Sequence, residues 1–294
     1  MNLKSLSHNH LYTNIDYHIV DGCNLACEGC SHWTDVYDLK NVVDVNTFKE
    51  EVTHWINKIS KVGYYYDYLV ILGGEPLLHP RLLDILNISL DITKNLPTKV
   101  KLITNGQLFH KHPKLWDFVL SQNPKNFNLK ITFHINNVEY LKKYIGPYRK
   151  ELLEYCKLIK DHNKIFALSS ASKSWFSNRN KMQQNSLISP YKIVDPKIGY
   201  ESEMSCAIYL CHSIHNNKLW KCAHLAYMPL EKVDQTFRDL HNSFTPIGIE
   251  CSDEQLKEFL LQQEIPACAG CATYSDYDFK VLDKINKKTY RNVQ

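Results

Sequence analysis

Along the first 170 residues the chain alternates between short apolar runs and longer segments with apolar positions three and four apart. IDYHIV (15–20) reads as a strand. NTFKEEVTHWINKIS (46–60) puts Val52, Trp55, Ile56 and Ile59 at helical spacing, with Asn46 or Thr47 as the cap. DYLVILGG (67–74) is a short apolar strand ending in glycines, and PRLLDILNISL (80–90) a helix with Pro80 in its first turn. KVKLITNG (99–106) is a strand and turn, WDFVL (116–120) ends a short helix, and LKITFHI (129–135) is a strand. RKELLEYCKLIKDH (149–162) is a helix and KIFALSS (164–170) a strand.

Five strands with helices between them fit parallel βα units joined by crossover helices. A sixth strand is expected in the polar stretch 171–205. The unusual residues follow the strands: three cysteines after the first, GGEP after the second, TNG after the third. In a parallel layout that is the carboxyl edge, where active sites form. Beyond residue 200 the alternation stops and cysteines become frequent, so two domains are expected, 1–200 and 201–294.

Composition narrows the class. Apolar residues are 44% of 294, enough for a sizeable core, and the net charge of +4 is not gathered into a basic block, which argues against a nucleic-acid partner. No apolar run has the roughly 18 residues that a membrane span needs. The start, MNLKSLSHNHLY, lacks the apolar core of a signal peptide, so the expected location is the cytoplasm. Ten cysteines are then not readily a disulfide framework. Cys156 reads as a core thiol, and Cys251 stands apart. The other eight form two sets: Cys23, Cys27 and Cys30, then Cys206, Cys211, Cys222, Cys268 and Cys271.

Three thiols on one loop leave a coordination position of a metal site open. His32 could complete a zinc site, and a four-iron cluster is the other option. C-x3-C-x2-C after the first strand resembles the signature of the radical S-adenosylmethionine superfamily. The resemblance implies that Cys23, Cys27 and Cys30 bind a [4Fe–4S] cluster whose unique iron is chelated by S-adenosylmethionine, and that its reductive cleavage yields a 5′-deoxyadenosyl radical. The aromatic residue that usually precedes the last cysteine is Gly29 here, with Trp33 after the motif. Gly73, Gly74, Glu75 and Pro76 resemble the family's GGEP motif, which binds the methionyl amine: glycines permit close approach, and Glu75 offers an acceptor. Thr104, Asn105 and Gly106 resemble its TNG. The resemblance covers about residues 14–200 and implies a partial (β/α)6 barrel.

CHSIHNNKLWKC (211–222) resembles the opening of the family's SPASM or twitch extension, with Asn217 where glycine is usual. Asn-Asn is a competent tight turn because Asn tolerates left-handed geometry. Six cysteines follow residue 200, fewer than two auxiliary clusters need, so the shorter twitch form fits better. It implies one auxiliary [4Fe–4S] cluster on Cys211, Cys222, Cys268 and Cys271, with Cys206 as a rival ligand; a four-thiolate zinc site is the alternative.

The resemblance implies an oxidoreductase that takes hydrogen from a hydroxyl-bearing carbon of a small sugar or aminocyclitol, passing an electron to the auxiliary cluster. A flavodoxin- or ferredoxin-like reductant is also implied. Epimerisation is the alternative, with Cys206 or Cys251 returning hydrogen. Peptide maturation is another, disfavoured because no peptide-binding module is evident before the first strand. A metal-binding scaffold without chemistry is the non-enzymatic reading. Strand ends offer Tyr17, His134, Ser169 and Ser170 as further contacts, His134 toward substrate and Ser169 toward cofactor. Tyr17 and His18 alternate, so at most one points inward. Arg238 could reach the auxiliary region or be structural.

Overall fold

The computed structural model describes residues 10–25, 30, 32–34, 37, 41–133, 166–170, 174–175, 211–262, 265–270 and 280–281. Of the expected site residues, Cys27, His134, Cys206 and Cys271 lie outside these, as do Cys156 and the helix expected over 149–162.

The strands are β1 (His10–Val20), β2 (Tyr65–Gly73), β3 (Lys99–Thr104), β4 (Phe127–Phe133), β5 (Phe166–Ser170), β6 (Ser174–Trp175), β7 (Cys211–His215), β8 (Lys218–Trp220), β9 (Ile247–Gly248) and β10 (Lys280–Val281). One sheet runs β5-β4-β3-β2-β1-β7-β8-β9, and β6 pairs with β10 apart from it. β1 to β5 are parallel, as the alternating pattern predicts. Among the described residues no pairing joins β5 to β9.

The position beside β1 is a departure from expectation. It is taken by β7, parallel to β1 with Asn14 opposite Cys211 and Tyr17 opposite Ile214. The described residues within 171–205 instead give only β6, which is not in the main sheet. β8 turns back antiparallel on β7. The turn is the Asn pair: Asn216 and Asn217 have φ of 52° and 55°, the left-handed values a two-residue hairpin requires.

Helices α1 (Val45–Lys61), α2 (Leu82–Thr93) and α3 (Leu115–Ser121) connect the parallel strands. α1 begins earlier than its periodicity suggested, because Asp44 caps it, accepting from the amides of Asn46 (2.8 Å) and Thr47 (3.3 Å). Pro80 precedes α2 rather than sitting inside it. After β8 come α4 (Ala223–Ala226), α5 (Gln235–Asn242) and α6 (Asp253–Leu261), the last closed by a capping box of Ser252 and Gln255. No helix among the described residues is long and apolar enough to cross a membrane.

Side chains alternate across each strand. One face is apolar and covered by helices: Ile15, Tyr17, Ile19, Leu69, Ile71, Val100, Leu102, Leu129, Ile131 and Ile214 are all buried in the main core with Phe48, Trp55 and Phe259. The opposite face carries Asp16, His18, Tyr68, Lys101, Lys130 and Ser213, the polar set needed by a surface that holds a polar ligand. A second cluster, Trp33, Ala223, Ala226, Tyr227, Met228, Val233 and Phe237, joins the cysteine loop to α4 and α5.

Candidate active site at the carboxyl edge of the sheet

The cysteine loop starts where β1 ends, and the end of β2 is laid directly on it. The Gly74 amide donates to the Val20 carbonyl at 2.7 Å, and the Glu75 amide to the Gly22 carbonyl at 3.1 Å. A Cβ on Gly73 would stand 2.1 Å from the Val20 oxygen, and one on Gly74 1.8 Å from the Gly22 oxygen. The close approach that these glycines permit is therefore, among their described neighbours, to the backbone of the cysteine loop.

Glu75 is buried at the centre of this junction. It accepts from Leu77 N (2.9 Å), Asn105 N (2.8 Å) and Thr104 Oγ1 (2.5 Å). Burial nevertheless pushes its pKa up to about 7, because these three hydrogen bonds offset only part of the cost of an uncompensated buried charge. A carboxylate has about four acceptor sites. With three described donors and no cation among the described residues, Glu75 retains acceptor capacity.

Asn105 ties the same junction to the first cysteine. Its Nδ2 donates to Asn24 Oδ1 at 2.8 Å and approaches Cys23 Sγ at 3.8 Å, and the Leu25 amide donates to that sulfur at 3.3 Å. Asn24 in turn donates to Gln107 Oε1 at 2.8 Å. Donors directed at a sulfur favour its thiolate form, which is the form that binds iron or zinc. Cys30 is half-buried, with its sulfur 3.4 Å from Thr34 Oγ1. Cys23, Glu75, Thr104 and Asn105 thus meet where three strands end, with Cys30 farther along the same loop beside Thr34. Asn24 and Gln107 belong with them; their positions beside the motifs were the available signal. A cluster with S-adenosylmethionine fits this donor set: the Cys23 sulfur, approached by the Leu25 amide and Asn105 Nδ2, lies beside a buried carboxylate that meets no cation among the described residues.

His32 takes a different part from that of a zinc ligand in the described contacts. Its Nδ1 lies 2.7 Å from His18 Nε2, and burial lowers its pKa to about 4. His18 stacks on Tyr227 with ring centroids 3.5 Å apart and 6° between planes. Tyr17 turns the other way, donating to Glu51 Oε2 at 2.9 Å and meeting Phe48 edge-on. The alternation read from sequence therefore resolves with His18 inward. Trp33 follows in a left-handed conformation (φ 57°), fully buried, its Nε1 donating to the His224 carbonyl at 2.9 Å.

One layer deeper, the register sets Asp16 beside Ser213 on β7 and beside Val70, which in turn faces Lys101. Asp16 Oδ1 and Ser213 Oγ are buried and have no hydrogen-bond partner among the described residues. Burial raises the Asp16 pKa to about 7 despite the attraction of Lys101. Burial and Lys130 lower that of Lys101 to about 8, and its ammonium lies 3.3 Å from the Tyr68 ring centroid. Sequence reading missed this layer, because a lone Asp inside IDYHIV carries no motif.

The later cysteines are only partly brought together. β7, which begins at Cys211, pairs Ser213 with Trp220, the last residue of β8, and Cys222 follows two residues later as the cap of α4. Asn14 Nδ2 lies 3.7 Å from Cys211 Sγ. Cys222 and Cys268 both pack on the margin of the main core. Cys251 is buried elsewhere, its carbonyl accepting from Lys58 near the end of α1, toward the amino edge of the sheet. No group of three or more potential metal ligands is assembled among the described residues, a set that omits Cys27 and Cys271. Arg238 is engaged structurally, donating to the carbonyls of Leu230 and Val233.

No curated protein matches this chain. The family model of the Radical SAM superfamily matches residues 17–168, just over half of the 294 residues and the span that contains the cysteine loop, GGEP and TNG. The chain belongs to the radical SAM superfamily, with the use of S-adenosylmethionine and iron–sulfur chemistry and the oxidoreductase-type enzymatic activity that membership supports.

Proposed function

We propose that the protein oxidises a hydroxyl-bearing carbon of a small polar molecule, a sugar or aminocyclitol. The observation that carries the reading is Glu75: a buried carboxylate that meets no cation among the described residues, fixed by the TNG segment that also contacts Cys23. Cys23, Cys27 and Cys30 would hold the first cluster, and Glu75, with Gly73, Gly74, Pro76, Thr104 and Asn105, would bind the methionyl end of S-adenosylmethionine. Ser169 is carried as a further contact on β5. Bound together these groups supply a hydrogen-abstracting radical, and an auxiliary cluster supplies an electron acceptor.

The chain's own part is orientation and proton transfer. Asp16 has an unpartnered oxygen on the polar face and a pKa near neutrality, which suits it to take the hydroxyl proton as hydrogen is removed from the adjacent carbon. Ser213 would orient that hydroxyl, and Lys101 would stabilise the Asp16 carboxylate. His134 is retained as a candidate contact. The β7–β8 hairpin, with Cys211 at its start and Cys222 two residues past its end, supports a twitch-like domain over 201–294 with Cys268 and Cys271 completing its site. The place of Cys251 disfavours it as a hydrogen donor for epimerisation, which leaves Cys206 as the thiol for that alternative. A flavodoxin- or ferredoxin-like donor and a cytoplasmic location complete the reading.

Iron, labile sulfide and zinc per chain, measured anaerobically after reconstitution, test it. About eight iron and eight sulfide support two four-iron clusters. About four iron with one zinc removes the electron acceptor and contradicts the oxidation.

A further inference from the structure

A cavity of about 400 Å³ opens at the carboxyl ends of β1 and β7, between them and the first half of α1. Its described wall holds three carboxylates, Asp21, Asp44 and Glu51, and three tyrosines, Tyr17, Tyr37 and Tyr227, with no lysine or arginine among the described residues. Its volume lies in the range of small-molecule sites. None of these groups is among the residues that gather around Glu75 and Cys23.

The carboxylates are held in place by neutral donors. Glu51 accepts from the Tyr17 hydroxyl and from the Asn217 amide at 2.9 Å each, and Asp21 accepts from Asn41. Asp44 is fixed as the cap of α1. The tyrosine hydroxyls are engaged too: Tyr37 donates to the Tyr227 carbonyl at 2.5 Å, and Tyr227 to the Ile214 carbonyl at 3.2 Å. Burial raises the pKa of Glu51. The described wall therefore gathers three carboxylates; Arg81 acts on Asp44, and the described contacts bring no cation to Asp21 or Glu51.

An independent observation comes from His18. It is 2% exposed and lines the same cavity, and its Nδ1 has no hydrogen-bond partner. With Nε2 directed at His32, the neutral ring offers Nδ1 as an acceptor in the tautomer whose Nε2 donates.

We propose that this cavity binds a small organic ammonium ion, its N–H groups received by Asp21, Glu51 and His18 and its charge faced by the tyrosine rings. Carboxylates at short range and aromatic rings are the two features that recognise such cations. A phosphate- or carboxylate-bearing ligand is excluded by the same charge. The site stands on its own residues and does not depend on the oxidation reading.

The test is calorimetric titration of the reconstituted full chain with glucosamine, ethanolamine and putrescine, and with glucose as the uncharged counterpart of glucosamine. At least one amine should bind, and glucosamine should bind at least about tenfold more tightly than glucose if it is the one that fits. Glu51→Gln should weaken the binding amine about tenfold, and Asp21→Asn serves where the first variant folds poorly. If no amine saturates below about 10 mM, if glucose matches glucosamine in binding, or if both variants bind amine as the parent does, the proposal is overturned.

Discussion

The indole of Trp33 donates to the backbone carbonyl of His224, 2.9 Å away and 191 residues along the chain. This contact joins the segment just after Cys30 to α4, which follows Cys222. Its cost is local: Trp33 occupies the left-handed region, unfavourable by about 1–2 kcal/mol for a side chain of this kind. Burial against Ala223, Tyr227 and Phe237 offsets it. Trp33→Phe should lose the hydrogen bond and about 1 kcal/mol, and Trp33→Ala about 3–5 kcal/mol. Urea unfolding measures both; equal stability of Trp33→Ala and the parent would show that the two segments are not coupled through this residue.

Gly74→Ala should be far more harmful than an ordinary glycine replacement. Its Cβ would stand 1.8 Å from the Gly22 oxygen, a backbone atom that cannot rotate aside. The expected loss exceeds about 3 kcal/mol, and reactive Cys23 should become more accessible as the loop lifts. Thermal unfolding and the rate of thiol alkylation report the two effects. A variant with parental values in both would contradict the contact.

Glu75→Gln keeps the shape of the side chain and removes its charge. It should weaken S-adenosylmethionine binding at least about tenfold, since a charge-assisted bond to an ammonium is lost, and should cost about 1–3 kcal/mol because the amide nitrogen cannot accept from its present donors. Equilibrium binding to reconstituted protein is the direct measurement. Unchanged affinity would remove Glu75 from the cofactor site.

Asp16 predicts a pH dependence. Its folded-state pKa, raised to about 7 by burial, lies above its ordinary value of 3.8, so the folded protein holds this proton more tightly than the unfolded chain. The associated stability is present below pH about 4 and is lost as pH rises to about 7, about 4 kcal/mol in all. Asp16→Asn should flatten this part of the stability curve. Parallel curves for parent and variant would show that Asp16 ionises as an ordinary carboxyl.

Much of the site's first half was legible because it is local in sequence. Three cysteines, GGEP and TNG each sit on one turn, and strand periodicity placed each turn at the same edge. The neighbour of β1 was not legible. CHSIH has the alternation of a strand, but alternation does not name a partner, and pairing with β1 spans nearly two hundred residues. The hairpin itself was readable, since Asn-Asn tolerates the φ values found there. Asp16 escaped because its meaning lies in what surrounds it: Ser213 and Lys101 come from two other strands. The helix cap at Asp44 was missed because Asn46 and Thr47 are also good caps, and only the amide contacts distinguish them.

The central claim is that this chain cleaves S-adenosylmethionine with a cluster held by its first three cysteines. The most direct measurement is 5′-deoxyadenosine formed anaerobically, under dithionite, by the reconstituted protein and by a variant with Cys23, Cys27 and Cys30 all changed to alanine. The account predicts 5′-deoxyadenosine from the parent and none above background from the variant. Equal formation by both, or none by a parent that carries its full iron, would contradict it.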